Sequence, residues 1–151
     1  MTKPILLDEQ LCFSIYQAHK VFNHFYAKAL EPFHLTYSQY IVLLVLWEQG
    51  SLSVKSLGQE VGLDSGTLTP LLKRLEKDGW VTRQRSKEDE RRLDVSLTDK
   101  AKQQKDVIYA HVGSCIDAIG LSNDQYNQVK SDVERVQKLL SNVPDTTFAK
   151  N

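Results

Sequence analysis

Leu7, Leu11, Ile15, Ala18, Phe22, Phe25 and Ala29 recur at spacings of three and four residues, the period that places side chains on one face of an α-helix. The pattern predicts a helix from Asp8 to about Leu30, with Asp8 as its cap and Glu9 in its first turn. A second stripe runs beside the first through Cys12, Tyr16, His19, Asn23 and Tyr26. Together the two stripes leave little of the helix suited to water. Such a helix needs partners on two sides, and one of them is expected to be a second copy of the chain.

Pro32 ends this element, and Thr36 with Gln39 forms a capping-box signature for the next, Tyr37 to Gln49, which stops at Gly50. Its run from Ile41 to Trp47 is apolar nearly all round, which marks it as core. Ser53 is placed to cap a short helix through Glu60, with Val54 and Leu57 facing inward and Gly62 supplying a tight turn. The following helix starts near Ser65 to Thr67 and ends before Gly79, burying Leu68, Leu71, Leu72 and Leu75. Pro70 is costly in mid-helix and is expected in the first turn or at a bend.

The period then changes. Trp80–Arg85 and Leu93–Leu97 read as strands, since Leu93, Val95 and Leu97 alternate with Asp94 and Ser96. The intervening Ser86–Arg92, SKEDERR, is an exposed tip. Thr98 is placed to cap a helix from Asp99 to about Ala118, and Ser122 with Gln125 repeats the capping box. Val129, Val133, Val136, Leu140 and Val143 form a heptad-like seam up to Pro144. The tail, DTTFAKN, has no periodicity and is expected to be loose. The fold class is therefore mainly α with a small β-hairpin wing: a winged helix-turn-helix over 53–98, flanked by dimerisation helices over 8–30 and 99–143. One domain over residues 1–151 is expected, since a chain of 151 residues builds one good core.

Composition adds little until it is divided along the chain. The formal net charge is zero, with 19 Lys and Arg against 19 Asp and Glu. Residues 73–92 hold eight of the basic residues and five of the acidic ones, so the basic excess falls on the back of the second motif helix and on the wing. No apolar run approaches the roughly 20 residues that span a bilayer, and MTKPILLDEQ lacks the order of a signal peptide. A cytoplasmic location away from membranes is expected. Cys12 and Cys115 have no metal-ligand spacing, and a static disulfide is not expected in a reducing compartment. No metal or cofactor is expected.

A helix that enters the DNA major groove presents short polar side chains near its N-terminus and cations toward phosphate. Ser65, Thr67 and Thr69 supply the hydroxyls; Lys73 and Arg74 supply charge further along. The wing adds Arg83 and Arg85 before the tip and Arg91 and Arg92 after it. A wing-tip arginine suits the narrow minor groove, where negative potential concentrates. The tip acids would repel DNA unless they orient the arginines, and Asp89 is expected to pair with Arg91. Each hydroxyl taken alone is equally well an ordinary cap; the order of helix, turn, helix and charged hairpin is what points to double-stranded DNA.

Leu63–Glu76 (LDSGTLTPLLKRLE), with RSKEDERR at 85–92 and VSLT at 95–98, resembles the MarR family of winged-helix regulators. QLCF at 10–13 and LTYSQY at 35–40 resemble its organic-hydroperoxide-sensing, OhrR-type branch. Ser38 and Gly62 depart from that pattern, where many relatives carry proline and an aromatic residue. The resemblance implies a homodimeric repressor of transcription on a pseudo-palindromic operator, released when Cys12 is oxidised by an organic hydroperoxide. It further implies that Tyr26 and Tyr37, helped by Tyr16, hydrogen-bond the thiolate across the dimer interface. Cys115 is the possible resolving thiol, through a Cys12–Cys115 bond between subunits.

A peroxide-sensing thiol reacts as thiolate and must be reachable. Cys12 falls in the first helical turns, where the helix dipole favours an anion, and Phe13, Ile15 and Phe25 make apolar surroundings. Two alternatives stand beside this. A MarR-type repressor released by a lipophilic or phenolic ligand needs no thiol chemistry. A thiol peroxidase would need an activating His, Arg or Thr around Cys12, and none is placed there, so an enzyme is not expected.

Overall fold

The structure, a computed structural model, describes residues 6–149. It divides into two compact units, residues 1–112 and 113–151.

In the first unit the N-terminal apolar stripe becomes helix α1, Leu11–Leu30. Its start differs from expectation. Leu7–Glu9 folds as a separate 3-10 turn, and the capping position is Gln10 rather than Asp8, with no side-chain cap bond. Two acids in succession begin a tight turn as readily as a helix, and extended backbone at Gln10 separates the two elements. Only Ala29 and Leu30 of α1 are buried; Leu11, Ile15 and Phe22 stay exposed.

Helix α2, Tyr37–Gln49, opens on the full reciprocal capping box of Thr36 and Gln39. It supplies the centre of the core through Val42, Leu43 and Leu46. Trp47 is anchored as well, its Nε1–H donating to the Ala101 carbonyl at 3.0 Å. A buried indole with a satisfied donor packs without the cost of an orphaned N–H.

Strand β1, Leu52–Ser53, leads into α3, Val54–Val61, capped by the Ser53 hydroxyl, which accepts from the Ser56 amide. Gly62 ends α3 in the left-handed conformation at φ 68°, where a side chain would be strained. Helix α4, Ser65–Lys77, is capped by Asp64 Oδ1, which accepts from Thr67 N–H at 2.8 Å. The residues expected to start this helix therefore lie just inside it. Pro70 sits within α4, past the first turn and without breaking it. Leu68, Leu72 and Leu75 are buried and Leu71 half-buried.

The wing pairs β2, Val81–Arg85, with β3, Leu93–Leu97, antiparallel from Val81↔Leu97 to Arg85↔Leu93. Strand β1 joins β3 on its other edge, giving the order β1-β3-β2. Helix α5, Asp99–Asp117, follows, with Ala101, Ile108 and Val112 buried. Its start is tied to the root of the wing. Thr98 Oγ1 donates to the Gly79 carbonyl at 2.6 Å, and Lys100 Nζ donates to the Asp78 carbonyl at 2.8 Å while lying 4.5 Å over the Trp80 ring.

In the second unit, α6 spans Asn123–Ser141 on a complete Ser122–Gln125 capping box. Its apolar seam is not covered: Val129, Val133 and Leu140 are more than half exposed, and no residue of α6 is buried. The tail, expected to be loose, forms a 3-10 turn over Asp145–Phe148 after Pro144, since a fixed proline φ favours such a start. The rest of that expectation, Lys150 and Asn151, lies outside the described residues.

Candidate nucleic-acid interface and thiol site

The helix-turn-helix closes because α3 comes very near the chain leading into α4. Leu63 N–H donates to the Gly58 carbonyl at 3.0 Å, and a Cβ on Gly58 would stand 2.8 Å from the Leu63 carbonyl oxygen. Glycine is required there by proximity. The close turn, with the Asp64 cap, sets the N-terminal half of α4 outward while its leucines stay in the core.

Between α3, α4 and the wing lies an open concavity of about 710 Å³. Of the residues expected to meet DNA, it gathers Ser65, Thr69, Arg83, Asp89, Arg91 and Arg92 onto one face. Thr67, Lys73 and Arg74 are exposed on α4, and Arg85 is exposed on β2, but none of them lines that face. The Thr67 amide is taken by the Asp64 cap.

The wing arginines differ in what holds them. Arg83 is committed to Glu76 of α4: Nε donates to Oε2 at 3.1 Å and a terminal nitrogen donates to Oε2 at 2.7 Å. Those bonds hold the Glu76 carboxyl below the ordinary carboxylate value of 4.5. Arg92 pairs with Asp94 at 2.6 Å, which raises the guanidinium above its ordinary value. Arg85 donates to the Glu90 carbonyl at 2.6 Å. The expected Asp89–Arg91 pair exists through the backbone instead: Asp89 Oδ1 accepts the Arg91 amide at 3.0 Å. The acid shapes the tip, and no ion pair or hydrogen bond among the described residues engages the Arg91 guanidinium. Sequence position had ranked these arginines alike; tertiary pairing separates them.

Cys12 occupies the second position of α1 and is exposed. Its Sγ–H donates to Gln10 Oε1 at 3.3 Å. Tyr16, one turn along, is exposed; its ring stands 6.4 Å from Phe13, with Lys20 Nζ 5.4 Å over its face. Tyr26 is fourteen residues further on than Cys12, about 21 Å along a helix at 1.5 Å per residue. Within one chain it stacks instead on Tyr37, with ring centroids 4.3 Å apart. The structure thus brings Tyr26 and Tyr37 together, and places neither on the thiol of its own chain.

Tyr40, not singled out from the sequence, completes that cluster 6.3 Å from Tyr26. Burial, then the nearby phenols of Tyr26, Tyr109 and Tyr37, push its hydroxyl up to about 12. It stands just before the apolar run Ile41–Trp47 and is buried with it; a single tyrosine there carries no sequence signal of the cluster. Cys115 is half-buried near the end of α5. Among the described residues no group of three or more His, Cys, Asp or Glu is arranged to hold a metal, and no helix is long and apolar enough to cross a membrane.

The sequence pattern of the family described as "Transcriptional regulator SarA/Rot" matches residues 24–108. The Organic hydroperoxide resistance transcriptional regulator of Bacillus subtilis is 41% identical over 125 residues, covering 83% of this chain and 85% of that protein. The chain belongs to this MarR-like family of winged-helix transcriptional regulators. Another member, the HTH-type transcriptional regulator TtmR of Methylorubrum extorquens, is 54% identical over 102 residues, 68% of this chain, and the match spans about half of TtmR (52%). Among solved structures, reduced AbfR bound to DNA superposes with a TM-score of 0.80 at 42% identity, covering 89% of this chain and 92% of that one. Disulfide-formed AbfR superposes with a TM-score of 0.69 at 43% identity, covering 89% and 91%. AbfR is a protein of Staphylococcus epidermidis. None of these relatives points to a catalytic family.

Proposed function

We propose that the chain is a redox-responsive DNA-binding repressor of the cytoplasm, acting as a homodimer on a pseudo-palindromic operator. The observation that carries the reading is the concave face that Ser65, Thr69 and Arg91 line together. That combination fits hydroxyl contacts to base edges in the major groove and a cation in the adjacent minor groove. Ser65, Thr67 and Thr69 read or position, Lys73 and Arg74 meet phosphate, and Arg85, Arg91 and Arg92 serve the wing, with Asp89 holding the tip. The uncovered apolar faces of α1 and α6 support pairing of two chains over 8–30 and 99–143, the whole of 1–151 working as one unit.

Cys12 is the sensor in this reading. Its sulfur, as thiolate, attacks the terminal oxygen of the organic hydroperoxide; the O–O bond breaks, the sulfur becomes a sulfenic acid, and the departing alkoxide takes a proton from water to leave as the alcohol. Tyr26 and Tyr37 serve as hydrogen-bond partners supplied by the second subunit, with Tyr16 nearby. Cys115 then resolves it: its thiolate attacks the sulfenic sulfur, an S–S bond forms, and water leaves. The exposure of Cys12 and its place in the first turn of α1 support this role, as does the relative solved in disulfide form. The hydroperoxide is a signal consumed once per oxidation, with no turnover.

The DNA assignment is tested by offering reduced protein a random-sequence duplex pool. Enrichment of a two-fold symmetric site supports it; the absence of any enriched site refutes it. The resolving step is tested on non-reducing gels after cumene hydroperoxide treatment. A crosslinked dimer that persists in Cys115→Ser ends the Cys12–Cys115 assignment.

A further inference from the structure

Glu76 stands in the last turn of α4 and spends its whole carboxylate on one residue of the wing. Oε1 accepts the backbone amide of Arg83 at 3.1 Å, while Oε2 accepts both guanidinium donors. Strand β2 is an edge of the sheet, so amides pointing away from β3 have no strand partner, and Glu76 satisfies one of them. The bond to the amide matters most, because it ties the strand itself, and not only a flexible side chain, to the helix. On the other side of the same joint, Thr98 and Lys100 hold the carbonyls of Gly79 and Asp78.

We propose that Glu76 is a positioning residue of the DNA-reading face. With Arg83 it fixes the angle between α4 and the wing, so that the α4 hydroxyls and Arg91 reach one duplex together. This rests on the reading of the concave face as a DNA interface. It also reassigns Arg83. With its side chain 18% exposed and its charge matched by Glu76, Arg83 acts on DNA through the wing's orientation and contributes no phosphate contact.

The two roles predict different salt behaviour. Each phosphate contact adds about 0.9 to the slope of log affinity against log salt, so losing a direct contact flattens the line and losing a joint does not. The experiment is a fluorescence-anisotropy titration across salt concentrations, using the duplex selected by wild-type protein. Glu76→Gln and Arg83→Gln are each expected to weaken binding by roughly three- to tenfold. The double variant should be no weaker than either single one, and all slopes should equal that of wild type. Lys73→Ala, which would remove a phosphate contact, should in contrast flatten the slope by about 0.9.

Arg83→Gln weakening binding well beyond Glu76→Gln and flattening the slope would overturn the proposal, as would wild-type affinity in Glu76→Gln. Amide hydrogen exchange on DNA-free protein separates this failure from that of the DNA reading. Exchange across β2 should rise in Glu76→Gln while α2 is unaffected. If wild type selects no duplex, the DNA reading has failed, and a β2 that exchanges equally in both proteins overturns the joint as well.

Discussion

Replacing Gly58 by alanine is the most direct probe of how the reader is built. The new Cβ would lie 2.8 Å from the Leu63 carbonyl oxygen and 3.4 Å from Leu68 Cδ2. The first neighbour is backbone and cannot rotate away, so α3 must retreat by about 0.6 Å before ordinary van der Waals contact is restored. Overpacking of this kind costs about 1–3 kcal/mol. Alanine returns about 1 kcal/mol over glycine in a helix, which leaves a net loss of roughly 0–2 kcal/mol. For a chain of this size each kcal/mol moves Tm by about 2–4 °C, so Tm is expected to fall by up to about 8 °C, and to miss in any case the rise that the propensity gain alone would give. Gly113→Ala is the matched control: its Cβ meets nothing within 4 Å, and the same propensity gain should raise Tm. Both variants are measured by circular-dichroism melting at one protein concentration. A Gly58→Ala protein stabilised as much as Gly113→Ala would refute the close approach of α3 to the turn, and with it the way α4 is set outward.

Other consequences are open to measurement. The Glu76 carboxyl is held below its ordinary value by the Arg83 hydrogen bonds, so its stabilisation is present above the unfolded carboxylate value of 4.5 and is lost as pH falls through the lower folded value. The Tm gap between wild type and Glu76→Gln should therefore be largest near neutral pH and close in strongly acid solution. Leu72→Ala, at a site with no exposure, should cost about 2–5 kcal/mol in urea unfolding. In an ultraviolet titration Tyr40, pushed up from 10.0 to about 12, should give a late ionisation step, and Tyr40→Phe should remove that step.

Much of this architecture was legible wherever a local rule and the tertiary structure agree. Thr36 with Gln39 and Ser122 with Gln125 cap helices as their spacing predicts, because a capping box is complete within four residues. Gly62 turns as expected for the same reason. The short strand β1 was missed: two residues carry no alternation to read. Asp8 and Asp64 show the limit of capping rules, since several polar residues in a row each qualify and packing selects one.

The candidate site divides along the same line. That α4 and the wing belong to one face followed from the order of elements and the charge pattern. Which arginine remains uncommitted did not, because Glu76 and Asp94 choose their partners through the fold. Likewise, Tyr26 meets Tyr37 only because α1 and the start of α2 are brought together. Phenols at such separations have no sequence signature.

The central claim, that oxidation of Cys12 switches DNA binding, meets its most direct test in one titration. The selected duplex is titrated with reduced protein, with protein treated with cumene hydroperoxide, and with treated Cys12→Ser. Tight binding is expected of the first, weakened binding of the second, and of the third binding equal to that of its own untreated form. Equal affinity of reduced and treated wild type would contradict it, and so would a Cys12→Ser protein that still releases the duplex when the hydroperoxide is added.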